Sequence, residues 1–191
     1  MERQGVCCME KRENQRVMLT KRLMKESLTR LLEKESIHKI SIRALCEEAG
    51  VNRSTFYKYY GSQYDVLQEM EEELIANVRE ALEKDGKTTE REMLMAVCAC
   101  IEQDMPPVRV LLGNNVDPQF PEHLFSLPKI REMIEERFGD RYDAQQREYI
   151  YVFLVNGTYR LVQEWMLTDE KRPFSEIVFL LEKLIDSICG Q

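Results

Sequence analysis

Residues 41–60 read SIRALCEEAGVNRSTFYKYY, and this stretch decides the fold. Ser41 is a helix N-cap, because its hydroxyl can accept a bond from an unpaired N–H of the first turn. Ile42, Leu45, Cys46 and Ala49 follow at helical spacing and form one apolar face. Gly50 ends that helix, since glycine enters the left-handed region without a Cβ penalty. Val51 plugs the turn and Asn52 caps a second short helix. There Phe56 and Tyr60, four apart, face inward, and Arg53, Ser54, Thr55, Tyr57, Lys58 and Tyr59 point outward. The pattern is a helix-turn-helix. Its second helix carries donors suited to base edges and phosphates in a major groove. The plain alternative is a helical hairpin with a polar surface. Three tyrosines, an Arg and a Lys crowded into residues 53–60 favour a DNA reader.

The charge distribution agrees. The net charge is −7, which alone argues against nucleic acid, but the charge is segregated. Residues 1–64 carry 13 Lys+Arg against 8 Asp+Glu, a balance of +5, and residues 65–191 carry 14 against 26, a balance of −12. A basic head on an acidic body meets phosphates through one end.

The stretch IRALCEEAGVNRSTFYKYYGSQYDVL resembles the DNA-binding motif of the TetR family of transcriptional regulators. The likeness rests on Ala49-Gly50-Val51, Phe56-Tyr57, Tyr60 and Val66-Leu67 and covers roughly residues 15–80. Gln63 and Tyr64 depart from it, standing where a Lys and an acidic residue are common. The resemblance implies an all-α dimer that reads a near-palindromic operator, usually as a repressor. It also implies a small molecule bound in the body, which shifts the long helix after the motif. A member governed by a partner protein in place of a small molecule is the variant within the family. A helical interaction protein that does not bind DNA is the alternative outside it.

The chain of 191 residues is long enough to bury a substantial core. Residues 1–12 are polar and aperiodic and read as a disordered tail. Residues 13–62 read as a three-helix DNA-binding domain and 63–191 as a helical ligand-binding and dimerisation domain. The first helix runs from about Asn14 to Glu35, with Leu23, Met24, Ser27, Leu28, Leu31 and Leu32 as its apolar stripe. Arg12, Arg16, Lys21 and Arg22 on its basic half are either backbone contacts or a solvated face. A long helix from Gln63 to Lys84 follows, ended by Asp85-Gly86-Lys87.

Further helices are expected over 89–103, 105–112, 129–138, 143–167 and 173–188, with a proline-rich loop over 117–128. No alternating segment of useful length speaks for a strand. The longest apolar runs, such as Tyr149 to Val155, are too short to span a membrane. The N-terminus has no apolar signal-peptide core, so a cytoplasmic protein is expected.

Nothing signals catalysis. There is no Gly-rich phosphate loop and no nucleophile elbow. Glu47-Glu48 and Glu135-Glu136 are adjacent on helices and point apart. Only His38 and His123 are present, and Cys98-Ala99-Cys100 lacks zinc-knuckle spacing. No cofactor or metal is expected, and the six cysteines do not imply disulfides in a reducing compartment. Cys46 reads as a small buried hydrophobe. Cys98 reads as a pocket residue or an oxidant sensor.

DNA contacts are expected from Ser41, Arg43, Asn52, Arg53, Ser54, Thr55, Tyr57, Lys58 and Tyr59. A pocket for a small apolar or amphipathic effector is expected from Met93, Val97, Cys98, Met105, Phe120, Phe125, Met133, Tyr149 and Phe153, although each also reads as ordinary core. The last two long helices are apolar on more than one face, more than a surface helix needs. Val152, Val155, Tyr159, Val162 and Met166 make one stripe and Ile177, Leu181, Leu184 and Ile188 another, and from Val155 onward they are expected to meet the same helices of a second copy. Full burial within one chain is the alternative.

Overall fold

Ten α-helices and no strand make up the described residues of the computed structural model. Those residues are 3–83, 89–113, 116–139, 141–168 and 172–189, and of their side chains all but those of residues 3–13, 90, 93, 94, 125, 188 and 189. In chain order the helices are α1 (Arg3–Leu32), α2 (Ile42–Ala49), α3 (Arg53–Tyr57), α4 (Gln63–Glu83) and α5 (Glu90–Gln103). They continue as α6 (Met105–Gly113), α7 (Phe120–Phe125), α8 (Pro128–Phe138), α9 (Ala144–Leu167) and α10 (Phe174–Cys189). The chain divides into two compact units, Met1–Glu72 and Glu73–Gln191.

In the first unit α2 packs against α1 and α3. The core is built from Met24 and Leu28 of α1, Ile37 and Ile40 of the following turn, Leu45 of α2, Phe56 of α3, and Val66 and Met70 of α4, all buried. Ser27 is buried with them, and its Oγ accepts a 2.9 Å bond from Arg30. Arg30 also reaches Glu48 of α2 at 2.7 Å. Glu69 of α4 takes Lys21 of α1 at 2.7 Å and Lys25 at 3.5 Å. Three side chains of α1 thus hold α2 and the start of α4.

α1 begins at Arg3, well before Asn14. The segment expected to be a disordered tail is therefore helical from residue 3. It holds no proline and a single glycine, Gly5, so nothing in it breaks a helix once the downstream turns have nucleated it.

In the second unit α9 packs against α6, α8 and α10, and α10 also against α5. Two helices start on capping boxes: Thr89 with Glu92, and Asp143 with Gln146. Among the capped N-termini of this unit, α8 relies on Pro128 in its first turn, where the missing N–H costs no hydrogen bond. The same rule corrects the loop expected over 117–128. Pro121 lies in the first turn of α7, so it starts a helix there, and Phe120 and Leu124 are buried. The expected stop at Asp85-Gly86-Lys87 lies outside the described residues.

α9 is tied to the end of α6 by a buried polar knot. The Tyr159 hydroxyl donates to the Leu112 carbonyl at 3.0 Å, and Gln163 Nε2 donates to the same carbonyl at 2.8 Å. That carbonyl belongs to the last turn of α6, which has no further helical N–H to meet it.

Candidate DNA-reading helix and effector cavity

α3 is held rigidly for so short a helix. Gly50, at φ 65° and ψ 28°, closes α2, with its N–H to the Glu47 carbonyl at 3.3 Å and the Val51 N–H to the Cys46 carbonyl at 3.0 Å. These two bonds are the Schellman closure, which requires the left-handed residue. Asn52 then caps α3, its Oδ1 accepting from the Thr55 N–H and from the Ser54 hydroxyl, each at 2.7 Å. Phe56 is fully buried, with the Tyr57 ring edge-on at 5.6 Å and the Tyr60 ring tilted at 5.8 Å.

What remains outside is the expected set. Arg53, Ser54, Tyr57 and Lys58 are exposed, and Thr55 and Tyr59 are half-buried. Lys58 Nζ lies 5.6 Å from the centre of the Tyr59 ring. Ser41 and Asn52 both serve as caps, Ser41 Oγ accepting from Ala44 N–H at 3.1 Å, so their side-chain oxygens are already engaged. Arg43 is exposed and paired with Glu47 at 2.7 Å, whose hydrogen bond and charge push the guanidinium pKa further up. The arrangement leaves a preorganised row of donors on α3, with Arg43 nearby on α2.

The head of α4 is organised by Asp65. Ser62 Oγ donates to it at 2.7 Å and the Gly61 N–H at 2.8 Å, and these bonds hold its carboxyl below the usual range. Tyr64, beside it, bonds His38 Nδ1 through its hydroxyl at 2.8 Å.

The second unit encloses a cavity of about 580 Å³. Its walls come from Leu74, Val78 and Leu82 of α4 and from α5 to α10. Of the expected pocket residues, Val97, Cys98 and Met133 line it. Phe120 is buried in the core beside α6, and Met105 is half-buried. Tyr149 and Phe153 are on the outer face of α9, 65% and 66% exposed, which corrects their expected place. The side chains of Met93 and Phe125 lie outside the described residues. Cys98 is packed against apolar neighbours, and burial pushes its thiol up to about 12. It therefore stays protonated, without the thiolate an oxidant sensor needs.

The stripe expected at a dimer contact is mostly turned inward. Tyr159, Val162, Met166 and Leu181 are buried, and Val155 and Ile177 are half-buried. Leu184 is exposed, and the Ile188 side chain lies outside the described residues. The open apolar residues are Tyr149, Val152 and Phe153 on α9 and Phe179, Leu180 and Leu184 on α10, of which Val152 and Leu184 belong to the expected stripes. Tyr149, Val152 and Phe153 fall at i, i+3 and i+4, a signal that was available in the sequence. Both faces of α9 are apolar, so periodicity alone left open which one the core claims. Sequence reasoning also passed over Arg91, Arg137, Glu182 and Asp186, which line the cavity. Charged residues on surface-like helices carry no signal of facing a cavity.

A helical head whose helix-turn-helix presents an exposed, core-anchored second helix, joined to a separate helical unit, defines an all-helical DNA-binding transcriptional regulator. Two family models match the chain: bacterial regulatory proteins of the tetR family over residues 26–70, and a transcriptional regulator C-terminal region over residues 88–187. The second spans more than half of the chain, and the protein belongs to the TetR family of transcriptional regulators. It is accordingly a DNA-binding regulator and not an enzyme. No curated protein matches the chain significantly. Among solved structures it is similar to a TetR transcriptional regulator from Streptococcus agalactiae 2603V, at 21% identity and TM-score 0.67 over 94% of this chain and 98% of that one. It is also similar to the dihydroxyacetone kinase operon activator DhaS, at 15% identity and TM-score 0.57 over 88% and 97%. At these identities the likeness is one of fold.

Proposed function

We propose that the protein is a homodimeric, effector-responsive repressor that reads a near-palindromic operator with α3. The observation that carries the reading is the exposure of Arg53, Ser54 and Tyr57 on a helix whose Asn52 N-cap and buried Phe56 fix its orientation, and of Lys58 at its C-cap. Arg53, Ser54 and Thr55 meet base edges or nearby phosphates. Tyr57, Lys58 and Tyr59 hold phosphates, and Ser41 and Arg43 clamp the flanking backbone. Freeing Arg43 from Glu47 is cheap, because exposed pairs contribute little.

The dimer is supported by the open apolar residues of α9 and α10, two helices that pack side by side. Exposed large apolar side chains gathered on two packed helices mark a protein contact, and a second copy meets them about a two-fold axis. The effector site is the cavity of the second unit, walled in part by α4. A ligand that prefers one placement of α4 shifts the population of operator-competent dimers. We place the protein in the cytoplasm with its operator, and no described helix is long and apolar enough to cross a membrane.

Selection of bound sequences from a random duplex pool, at moderate salt, tests this. An inverted repeat is expected, with affinity falling steeply as salt rises. A motif without dyad symmetry would end the dimeric reading. A promoter–reporter fusion carrying the selected site then reads the sign of regulation. Repression is expected. A rise in transcription would align the protein with the operon activator whose fold it shares.

A further inference from the structure

The cavity wall carries four charged side chains, Arg91 and Arg137 with Glu182 and Asp186. They form two ion pairs. Arg91 Nη1 is 3.5 Å from Glu182 Oε2, and Arg137 is in close contact with Asp186. Glu182 and Asp186 are one turn apart on α10, so the four groups gather at one end of the cavity. The rest of the wall is apolar apart from Thr89, Cys98, Thr158 and Tyr159. Of these, the Tyr159 hydroxyl is committed to the Leu112 carbonyl.

The two pairs differ. Arg137, 25% exposed, donates a direct hydrogen bond to Asp186, which is 53% exposed. The Arg91–Glu182 pair is longer than a good hydrogen bond and lopsided, with Arg91 67% exposed and Glu182 19%. The carboxylate belongs to the cavity and its cation stands mostly in water.

Taking the cavity as the effector site proposed above, we infer that its ligand is an amphipathic cation, with an apolar body along the walls and an ammonium-type head paired with Glu182 in place of Arg91. The exchange is easy in this direction. Arg91 returns to water, where most of it already is, and Glu182 stays paired. An anionic head has two routes, and each breaks more: it displaces Asp186 from its direct hydrogen bond to Arg137 and sets a new anion one turn from Glu182, or it draws Arg91 away. The withdrawn Glu182 carboxylate would then have no cation and face a second anion, an arrangement that desolvation and like charge both penalise. The field of the unit acts in the same sense. Residues 73–191 carry 22 Asp+Glu against 14 Lys+Arg, a balance of −8, which draws cations and repels anions. The volume lies within the usual range for small-molecule sites.

Calorimetric titration of the full chain with three ten-carbon probes, all below micelle formation, tests the inference. The probes are decyltrimethylammonium, decanoate and the neutral decyldimethylphosphine oxide. The cation is expected to bind tightest, roughly tenfold above decanoate, as for one partly buried charge pair. Glu182→Gln removes that preference and leaves the neutral probe unchanged. Arg91→Gln acts in the opposite direction and strengthens cation binding. A merely structural role for the pair would move both variants the same way, and that result would overturn the proposal. So would a preference for decanoate, or a cation preference that survives Glu182→Gln. In these cases binding of any probe leaves the effector cavity standing. If none of the three binds, the effector reading falls as well.

Discussion

Phe56 is the residue on which the proposed DNA-reading surface depends. Its ring is fully buried, and Phe56→Ala should cost about 3–5 kcal/mol, seen as a lower denaturation midpoint with loss of operator binding. Gly50 matters for its backbone, not its space: a Cβ there meets nothing within 4 Å, but φ is +65°. Gly50→Ala should cost about 1–2 kcal/mol. The outward residues separate by kind of contact. Arg53→Ala should weaken binding and blur base preference at one position by about 1–3 kcal/mol of discrimination. Tyr57→Phe and Lys58→Ala should weaken binding to all sequences alike, and Lys58→Ala should reduce the salt slope by about one. Competition with single-base variants of the selected operator reads both. Cys98, with its thiol raised to about 12, should resist alkylation at pH 8 in the folded protein while the half-buried Cys100 reacts, as mass spectrometry after brief labelling would show.

At the scale of elements, two ties are open to measurement. The first joins α1 to α4 through Glu69. Burial pushes its carboxyl up, but the hydrogen bond and charge of Lys21 and the charge of Lys25 outweigh it, and the net shift is downward. A lowered carboxyl contributes stability that is present above its unfolded value near 4.5 and is lost as pH falls through the folded value. Glu69→Gln should therefore lower Tm at pH 7, with the gap to the parent narrowing as pH falls below about 4.5, as thermal circular dichroism would show. The second tie is the Tyr159–Gln163 knot on the end of α6. Gln163 is buried and also bonds the Tyr159 hydroxyl at 3.1 Å. Gln163→Leu leaves the Leu112 carbonyl with Tyr159 alone and removes the 3.3 Å bond to the Gly113 carbonyl, at a cost of about 1–3 kcal/mol.

At the scale of the whole molecule the dimer is the decisive expectation. Phe153 is two-thirds exposed in the single chain, so Phe153→Asp should leave helicity intact. It should halve the solution mass seen by light scattering and lower operator affinity, because one head contacts only a half-site. An unchanged mass would move the interface elsewhere. The charge segregation belongs to this scale too: a head at +5 and a body at −12 direct the head toward DNA and keep the body off it.

The sequence by itself determined the helix-turn-helix, the all-helical class and the outward donors of α3. Each of these rests on short-range rules: Ser41 and Asn52 cap, Gly50 takes the left-handed turn, and Phe56 and Tyr60 share one face. Only the tertiary structure decided which apolar face of α9 and α10 the core claims, since Val155–Met166 and Tyr149–Phe153 are equally apolar and local periodicity cannot rank them. It also decided that Pro121 begins a helix and that Arg91 and Glu182 meet at a cavity wall. Such partners lie far apart along the chain, and no local pattern records which distant helix will stand opposite.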